Sequence, residues 1–298
     1  MSDSLSLENL SLEDKESVTK DLRQFRYHVV NVEVMGEGSQ AKVYSAMRLK
    51  SGRRIAIKRI DYRKKLRHDI ACHEVDALTK LRGHPHILRI YFACKSGEVR
   101  LIVTELCERG DLLEHLNRHG PYYREEEDAA LIMRPILSAV SFAHSRGYVH
   151  RDIKLENIYV SAEGRIVLGD WGMSTTWSVT KKLSDYIGST HYSAPEILCQ
   201  QEYTGPEVDI WSIGVVFYAV MHAWLPFRFG KNHDYAESLE SLLTKKPAFS
   251  PLCSDTAKSL ILSMLNITPY LRPSARELLK HPWFSTGAPR QKTVAVDA

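Results

Sequence analysis

Cysteine is scarce in this chain, and what there is serves no shared task. Cys72, Cys94, Cys107, Cys199 and Cys253 are scattered, odd in number and form no C-x-x-C pair. Neither a zinc site nor a disulfide framework is expected, and reduced thiols in a cytoplasmic or nuclear setting are the natural reading. Charge also lacks a strong bias. Forty Lys and Arg against 36 Asp and Glu leave a net +4, too mild to imply nucleic acid or a membrane surface. A long unbroken apolar run is missing. The most apolar stretch, residues 210 to 227, is interrupted by Ser212, Gly214 and His222, so a buried core helix is expected there and no membrane span. Residues 1–17 have neither a basic start nor an apolar segment, and no secretory leader is expected from them. With 298 residues and 44% apolar content, the chain can fill one large or two moderate domains.

Residues 1–26 are rich in Ser, Leu and acids, and Leu5, Leu7, Leu10 and Leu12 fit neither the helical nor the strand period. A flexible tail with at most a short helix is expected, able to serve as a docking segment for a regulatory partner. From residue 27 the pattern is strand-like. Tyr27 to Met35 alternates, then Gly36, Glu37, Gly38 and Ser39 lead into the runs 42–49 and 54–60. A glycine-rich turn between two strands lets backbone N–H groups approach phosphates without obstruction by Cβ. Alone this is a weak signal, since a dinucleotide-binding fold shows similar glycines, but there they open a helix. The basic run 62–68 reads as a solvated loop, because no aromatic platform for nucleic acid accompanies it. Ile70, Val75, Leu78 and Leu81 predict a helix over 69–81. Strands follow at 88–94 and 100–106. From residue 111 onward the periodicity is helical, including a long helix over about 125–146 closed by Gly147.

One stretch concentrates chemistry. His150, Arg151, Asp152, Lys154 and Asn157 are followed by Asp170, Trp171 and Gly172, with the apolar runs 158–160 and 166–168 between. A hairpin turning at Glu163 and Gly164 brings the two groups together. A carboxylate for a hydroxyl proton, a carboxylate with an amide for Mg²⁺, and a lysine for a phosphoryl group form a set suited to phosphoryl transfer.

This set resembles the catalytic loop and metal-binding motif of eukaryotic protein kinases. The likeness extends from about residue 27 to 284 through an ordered series. It takes in the glycine loop, Lys58 at the end of Ile55-Ala56-Ile57, Glu74 in the following helix, and Ala194-Pro195-Glu196. It continues through Asp209-Ile210-Trp211-Ser212-Ile213-Gly214 to Arg272. Ile-Lys-Leu-Glu-Asn at 153–157 leans toward the calcium/calmodulin-dependent and AMP-activated-kinase-like group.

The resemblance implies an α+β, bilobal fold. A strand-rich N-lobe with one main helix would cover 27–104, a hinge 105–110 and a mostly helical C-lobe 111–284, with tails at 1–26 and 285–298. It implies a serine/threonine protein kinase using ATP and Mg²⁺. Asp152 would be the base, Lys154 the phosphoryl contact, Lys58 the phosphate lysine paired with Glu74, and Asn157 and Asp170 the metal ligands. Gly36, Glu37, Gly38, Ser39, Val43, Ala56, Thr104, Glu105, Cys107 and Asp111 would complete the nucleotide site. Asp111 and Glu156 also match acids that select basic residues upstream of the target hydroxyl. Trp171, in place of the usual phenylalanine, should pack on Leu78 and His150. Asp185 stands where many relatives are phosphorylated, and the resemblance leaves three readings: Asp185 as a built-in substitute opposite Arg151, Ser184 or Thr180 as the phosphorylated residue, or a loop that needs none. Ala41 replaces the third loop glycine, and the alternative reading is a pseudokinase or scaffold on the same fold.

Overall fold

A computed structural model of the chain describes residues 2–38, 41–61, 63, 65–122, 125–227 and 235–285. Contacts divide it into two units, residues 1–82 with 88–107, and residues 83–87 with 108–298.

The first unit is built on a five-stranded antiparallel sheet. After helix α1 (Ser2–Gln24) come β1 (Val29–Glu37), β2 (Lys42–Arg48), β3 (Arg53–Asp61), helix α2 (Lys65–Lys80), β4 (Ile90–Ser96) and β5 (Val99–Glu105). Their order across the sheet is β1-β2-β3-β5-β4. Side chains alternate faces along each strand, and the two faces here have different partners. On one face Val29, Tyr44, Ala46, Ile55, Ile57, Cys94, Leu101 and Val103 join a buried cluster with Val18 and Leu22 of α1. The other face carries Lys58, opposite Val43 and Ile102, and Ala56, opposite Ser45 and Thr104. Helix α2 reaches this second face through Glu74.

Two elements differ from the sequence reading. Helix α2 begins at Lys65, four residues before the predicted start, because its first turn, Lys65-Leu66-Arg67-His68, belongs to the basic run that reads as a loop in the sequence. Residues 1–26 were expected as a flexible tail, yet α1 occupies 2–24. Val18 and Leu22 lie one turn apart and are fully buried. Tertiary packing of that short stripe, rather than helix propensity, holds the helix.

The second unit begins with α3 (Leu112–His119) and α4 (Glu126–Ser145), followed by β6 (Tyr148–Val149), β7 (Ile158–Val160), β8 (Ile166–Leu168) and β9 (Thr175–Thr176). Helices α5 (Pro195–Leu198), α6 (Pro206–His222), α7 (Tyr235–Thr244), α8 (Asp255–Met264) and α9 (Ala275–Leu278) complete it. Every residue of α6 from Val208 to His222 is buried, as an all-round apolar helix requires. No helix among the described residues is long and apolar enough to cross a membrane. Glu126 at the start of α4 accepts bonds from the Ser254 backbone and hydroxyl at the α8 cap, and from the Trp283 indole. These contacts close the unit at its C-terminal end. The expected C-terminal tail, 285–298, lies outside the described residues except for Ser285.

Candidate active site

The hairpin foreseen between residues 157 and 170 is present. Strands β7 and β8 pair Ile158 with Leu168 and Val160 with Ile166. One further bond, Gly169 N–H to the Asn157 carbonyl at 2.9 Å, extends the ladder and sets Asn157 beside the segment that ends in Asp170. Asp170 itself has φ +48°, a left-handed conformation that an L-residue keeps only when its surroundings enforce it.

Asp152 is the centre of a dense set of donors. Ser189 Oγ donates to its Oδ1 at 2.9 Å, Lys154 Nζ lies 3.0 Å from its Oδ2, and Asn157 Nδ2 donates to the same Oδ2 at 3.0 Å. Lys154 also donates to Ser189 Oγ at 2.8 Å, so lysine, serine and aspartate form a closed triangle. Asn157 Nδ2 donates as well to the Asp152 carbonyl at 2.8 Å. With both amide N–H bonds so used, its carbonyl oxygen remains as the donor for a metal. Gly188 has φ +96°, and a Cβ there would sit 2.5 Å from the Arg151 carbonyl. Only glycine allows the segment 188–193 to lie this close to the loop.

The loop is held from below by Asp209, near the start of α6. Its carboxylate accepts the backbone N–H groups of His150 at 2.9 Å and Arg151 at 2.8 Å, and His144 Nε2 at 2.8 Å. Burial alone would raise the pKa of this carboxyl. The hydrogen bond and charge of His144, with the contribution of His150, outweigh it and leave Asp209 below the ordinary value. His150 donates from Nε2 to the Gly169 carbonyl at 2.9 Å and accepts the Asp152 N–H on Nδ1 at 3.3 Å. Its ring lies 4.5 Å from that of the fully buried Trp171. The imidazole thus ties residue 152 to residue 169.

Arg151, at φ +66°, turns its guanidinium toward the segment 173–193. It donates to the Met173 carbonyl at 2.9 Å, to Asp185 Oδ2 at 2.7 Å and to the Tyr203 hydroxyl at 3.3 Å. Tyr203 donates in turn to the Asp185 carbonyl at 3.1 Å, and its backbone pairs both ways with Leu183. Further along, Glu196 and Arg272 form a buried two-bond ion pair at 2.6 and 2.9 Å.

In the first unit Lys58 Nζ lies 2.8 Å from Glu74 Oε2, with the glutamate almost fully buried. Gly36 pairs with Val43 and Glu37 with Lys42. Gly38 N–H donates to the Ala41 carbonyl at 2.9 Å, while Ser39 lies outside the described residues.

Residues 29–284 match the family described as protein kinase domain. The chain belongs to the protein kinase family. Among curated proteins it is 30% identical to sperm motility kinase 2B of Mus musculus over 270 residues, which are 90% of this chain and 54% of that protein. It is 34% identical to NUAK family SNF1-like kinase 2 of Homo sapiens over 265 residues, 88% of this chain and 41% of that one. The chain therefore spans about half the length of the curated relatives it matches.

The kinase-domain positions expected from sequence fall into recognisable sets. Lys58 and Glu74 are paired, Asp152, Lys154 and Asn157 are joined, and Val43, Ala56 and Thr104 lie on the Lys58 face of the sheet. Thr104 is buried and its hydroxyl donates to the Glu105 carbonyl at 3.1 Å. Glu105 accepts the Arg89 N–H on its carboxylate at 2.9 Å. Cys107 is buried. Asp111 caps α3, its Oδ1 accepting the Glu114 N–H at 2.9 Å, so one of its oxygens already has a structural task. His144 and Tyr203 were not singled out in the sequence. His144 sits at the end of an amphipathic helix and Tyr203 in an irregular stretch, and neither position carries a periodic or motif signal.

Proposed function

We propose that this kinase domain transfers the γ-phosphoryl group of ATP to serine and threonine hydroxyls of proteins. The observation that carries the reading is the triangle of Asp152, Lys154 and Ser189. Asp152 is positioned to accept a hydroxyl proton while Lys154, a few ångströms away, offers positive charge to the group being transferred. MgATP would supply the phosphoryl group and a cation to neutralise its charge. The donor set fits such a cation: a carboxylate from Asp170 and an amide oxygen from Asn157 are hard ligands. Mg²⁺ typically takes few protein oxygens and completes its shell with phosphates and water. Lys58, oriented by Glu74, would bind phosphate oxygens, and the Gly36–Gly38 turn would present N–H groups to them. The complete set Lys58, Asp152, Asn157 and Asp170 supports an active enzyme over a pseudokinase.

The reading extends to substrate and setting. Asp111 and Glu156, the acids that the resemblance to basophilic kinases singles out, are the candidate contacts for a basic residue upstream of the acceptor. The five scattered cysteines, odd in number and without a C-x-x-C pair, are the reason to place its action in the reducing cytoplasm or nucleus. The tails are the candidate contacts for a regulatory partner.

A mixed library of serine, threonine and tyrosine peptides tests the proposal. Label from γ-labelled ATP should appear on serine and threonine, with arginine enriched before the acceptor and the enrichment lost in Glu156→Gln. Label on tyrosine alone would overturn the acceptor assignment, and no arginine enrichment would remove the basic preference.

A further inference from the structure

Helix α1 crosses one face of the first unit's sheet and is fixed at both sides by polar bonds. Asp14 accepts Lys42 Nζ at 2.7 Å at the start of β2, and Asp21 accepts the Ser96 hydroxyl at 2.8 Å at the end of β4. On the same stretch of helix Val18 and Leu22 enter the core formed by all five strands. Asp14, Val18, Asp21 and Leu22 follow the helical stripe i, i+4, i+7, i+8.

The position of Lys42 gives this docking a consequence. Lys42 directly follows Ala41, whose carbonyl closes the glycine turn by accepting the Gly38 N–H. It pairs across the hairpin with Glu37, and its ammonium lies 3.2 Å from the Glu37 carboxylate as well as 2.7 Å from Asp14. One lysine therefore joins both stems of the turn to a helix outside the sheet. The Lys42 and Asp14 side chains are each about one-third exposed or less (31% and 27%), so the bond is shielded in part from water and salt. A hairpin whose stems are held loses less freedom when its N–H groups close on phosphates.

We propose that α1 is a positioning element for nucleotide binding, acting through the Asp14–Lys42 clamp on the glycine-rich hairpin. Asp14 touches no nucleotide in this account. It holds the stem residues Glu37 and Lys42 of the glycine turn together, so the N-terminal helix governs affinity for ATP. The inference rests on the assignment of that turn as the nucleotide cradle.

Asp14→Ala and Asp14→Glu in the full chain test it, with Asp21→Ala as the control that loosens α1 at its far side. Two readouts are taken: amide hydrogen exchange of residues 36–44 without nucleotide, and KM for ATP alongside kcat. Asp14→Ala should speed exchange in the hairpin and raise KM for ATP by about three- to tenfold with kcat nearly unchanged, the scale of one charge-assisted bond. Asp14→Glu should restore most of both, and Asp21→Ala should move neither much. Unchanged exchange and unchanged KM in Asp14→Ala would overturn the clamp, as would faster exchange with KM unmoved, or an equal effect from Asp21→Ala. A wild type without any phosphotransfer would instead count against the kinase assignment. The exchange measurement would then still decide whether α1 holds the hairpin.

Discussion

Asp185 offers a carboxylate to Arg151 at the point where the segment 173–193 returns toward the loop, and the carboxylate is permanent. A phosphate there would bring more charge and a third oxygen. The carboxylate still makes a 2.7 Å bond, reinforced by Tyr203. The expected outcome is that phosphatase treatment leaves wild-type turnover unchanged. Asp185→Ala should lower kcat about tenfold, the equivalent of one charge-assisted hydrogen bond. Turnover that collapses after phosphatase would show that a modified hydroxyl, such as Ser184 or Thr180, does the ordering. At this scale much was legible. Asp152, Lys154, Asn157 and Asp170 stand in a spacing that chemistry alone makes suggestive, and the family resemblance placed Asp185 opposite Arg151. Tyr203 and His144 could not be read, because their contacts, with Arg151, Asp185 and Leu183 for the first and with Asp209 for the second, join residues distant in sequence and leave no local pattern.

Elements make their own predictions. The pair Glu196–Arg272 ties α5 to the segment before α9, and Arg272 also stacks over Trp211 at 5.0 Å. Arg272→Met leaves a buried carboxylate without its partner, and urea denaturation should show a loss of about 3–5 kcal/mol. Replacing Glu196 by methionine in the same chain should return a good part of it, whereas a further loss would show that the pair itself is strongly net stabilising.

The loop at 83–87 should respond to pH. Burial, then the neighbouring His86, lowers the His84 pKa to about 4. Its Nδ1 accepts the His86 N–H at 3.2 Å and its Nε2 donates to the Ser138 hydroxyl at 3.0 Å. Below about pH 6.5 the unfolded chain gains a proton there that the folded chain refuses. Stability contributed by this site therefore falls as pH drops from about 6.5 toward about 4 and is constant above that range. His84→Asn, which can still accept the same N–H, should flatten the decline of the urea midpoint between neutral and mildly acid pH. A decline as steep as that of wild type would contradict the role.

The element pattern itself was well read where the apolar period was long, as in β3 and the all-buried α6. Helix α1 escaped because Val18 and Leu22 are too few to declare a period. Its leucines at 5, 7, 10 and 12 offered no consistent face, and the helix becomes visible only with the sheet it covers.

For the whole molecule, the order of motifs from Gly36 to Arg272 carried the fold, since each was matched by a partner it meets in space: Lys58 by Glu74, Asp152 by Ser189, Asp209 by the 150–151 backbone, and Glu196 by Arg272. Lys58→Met should abolish measurable turnover, and because it leaves the buried Glu74 carboxylate without the Lys58 ammonium it should also lower the urea midpoint. A variant that retains most activity would remove Lys58 from the phosphate role.

The central claim is that Asp152 receives a hydroxyl proton during phosphoryl transfer from MgATP. Its most direct test compares phosphatase-treated wild type with Asp152→Asn in γ-phosphate transfer to a serine or threonine peptide, with MgATP binding measured in both. The account predicts transfer by wild type, a loss of about 10²–10⁴-fold in the variant, and binding of MgATP by both proteins. Equal transfer by the two proteins, or none by either while MgATP remains bound, would contradict it.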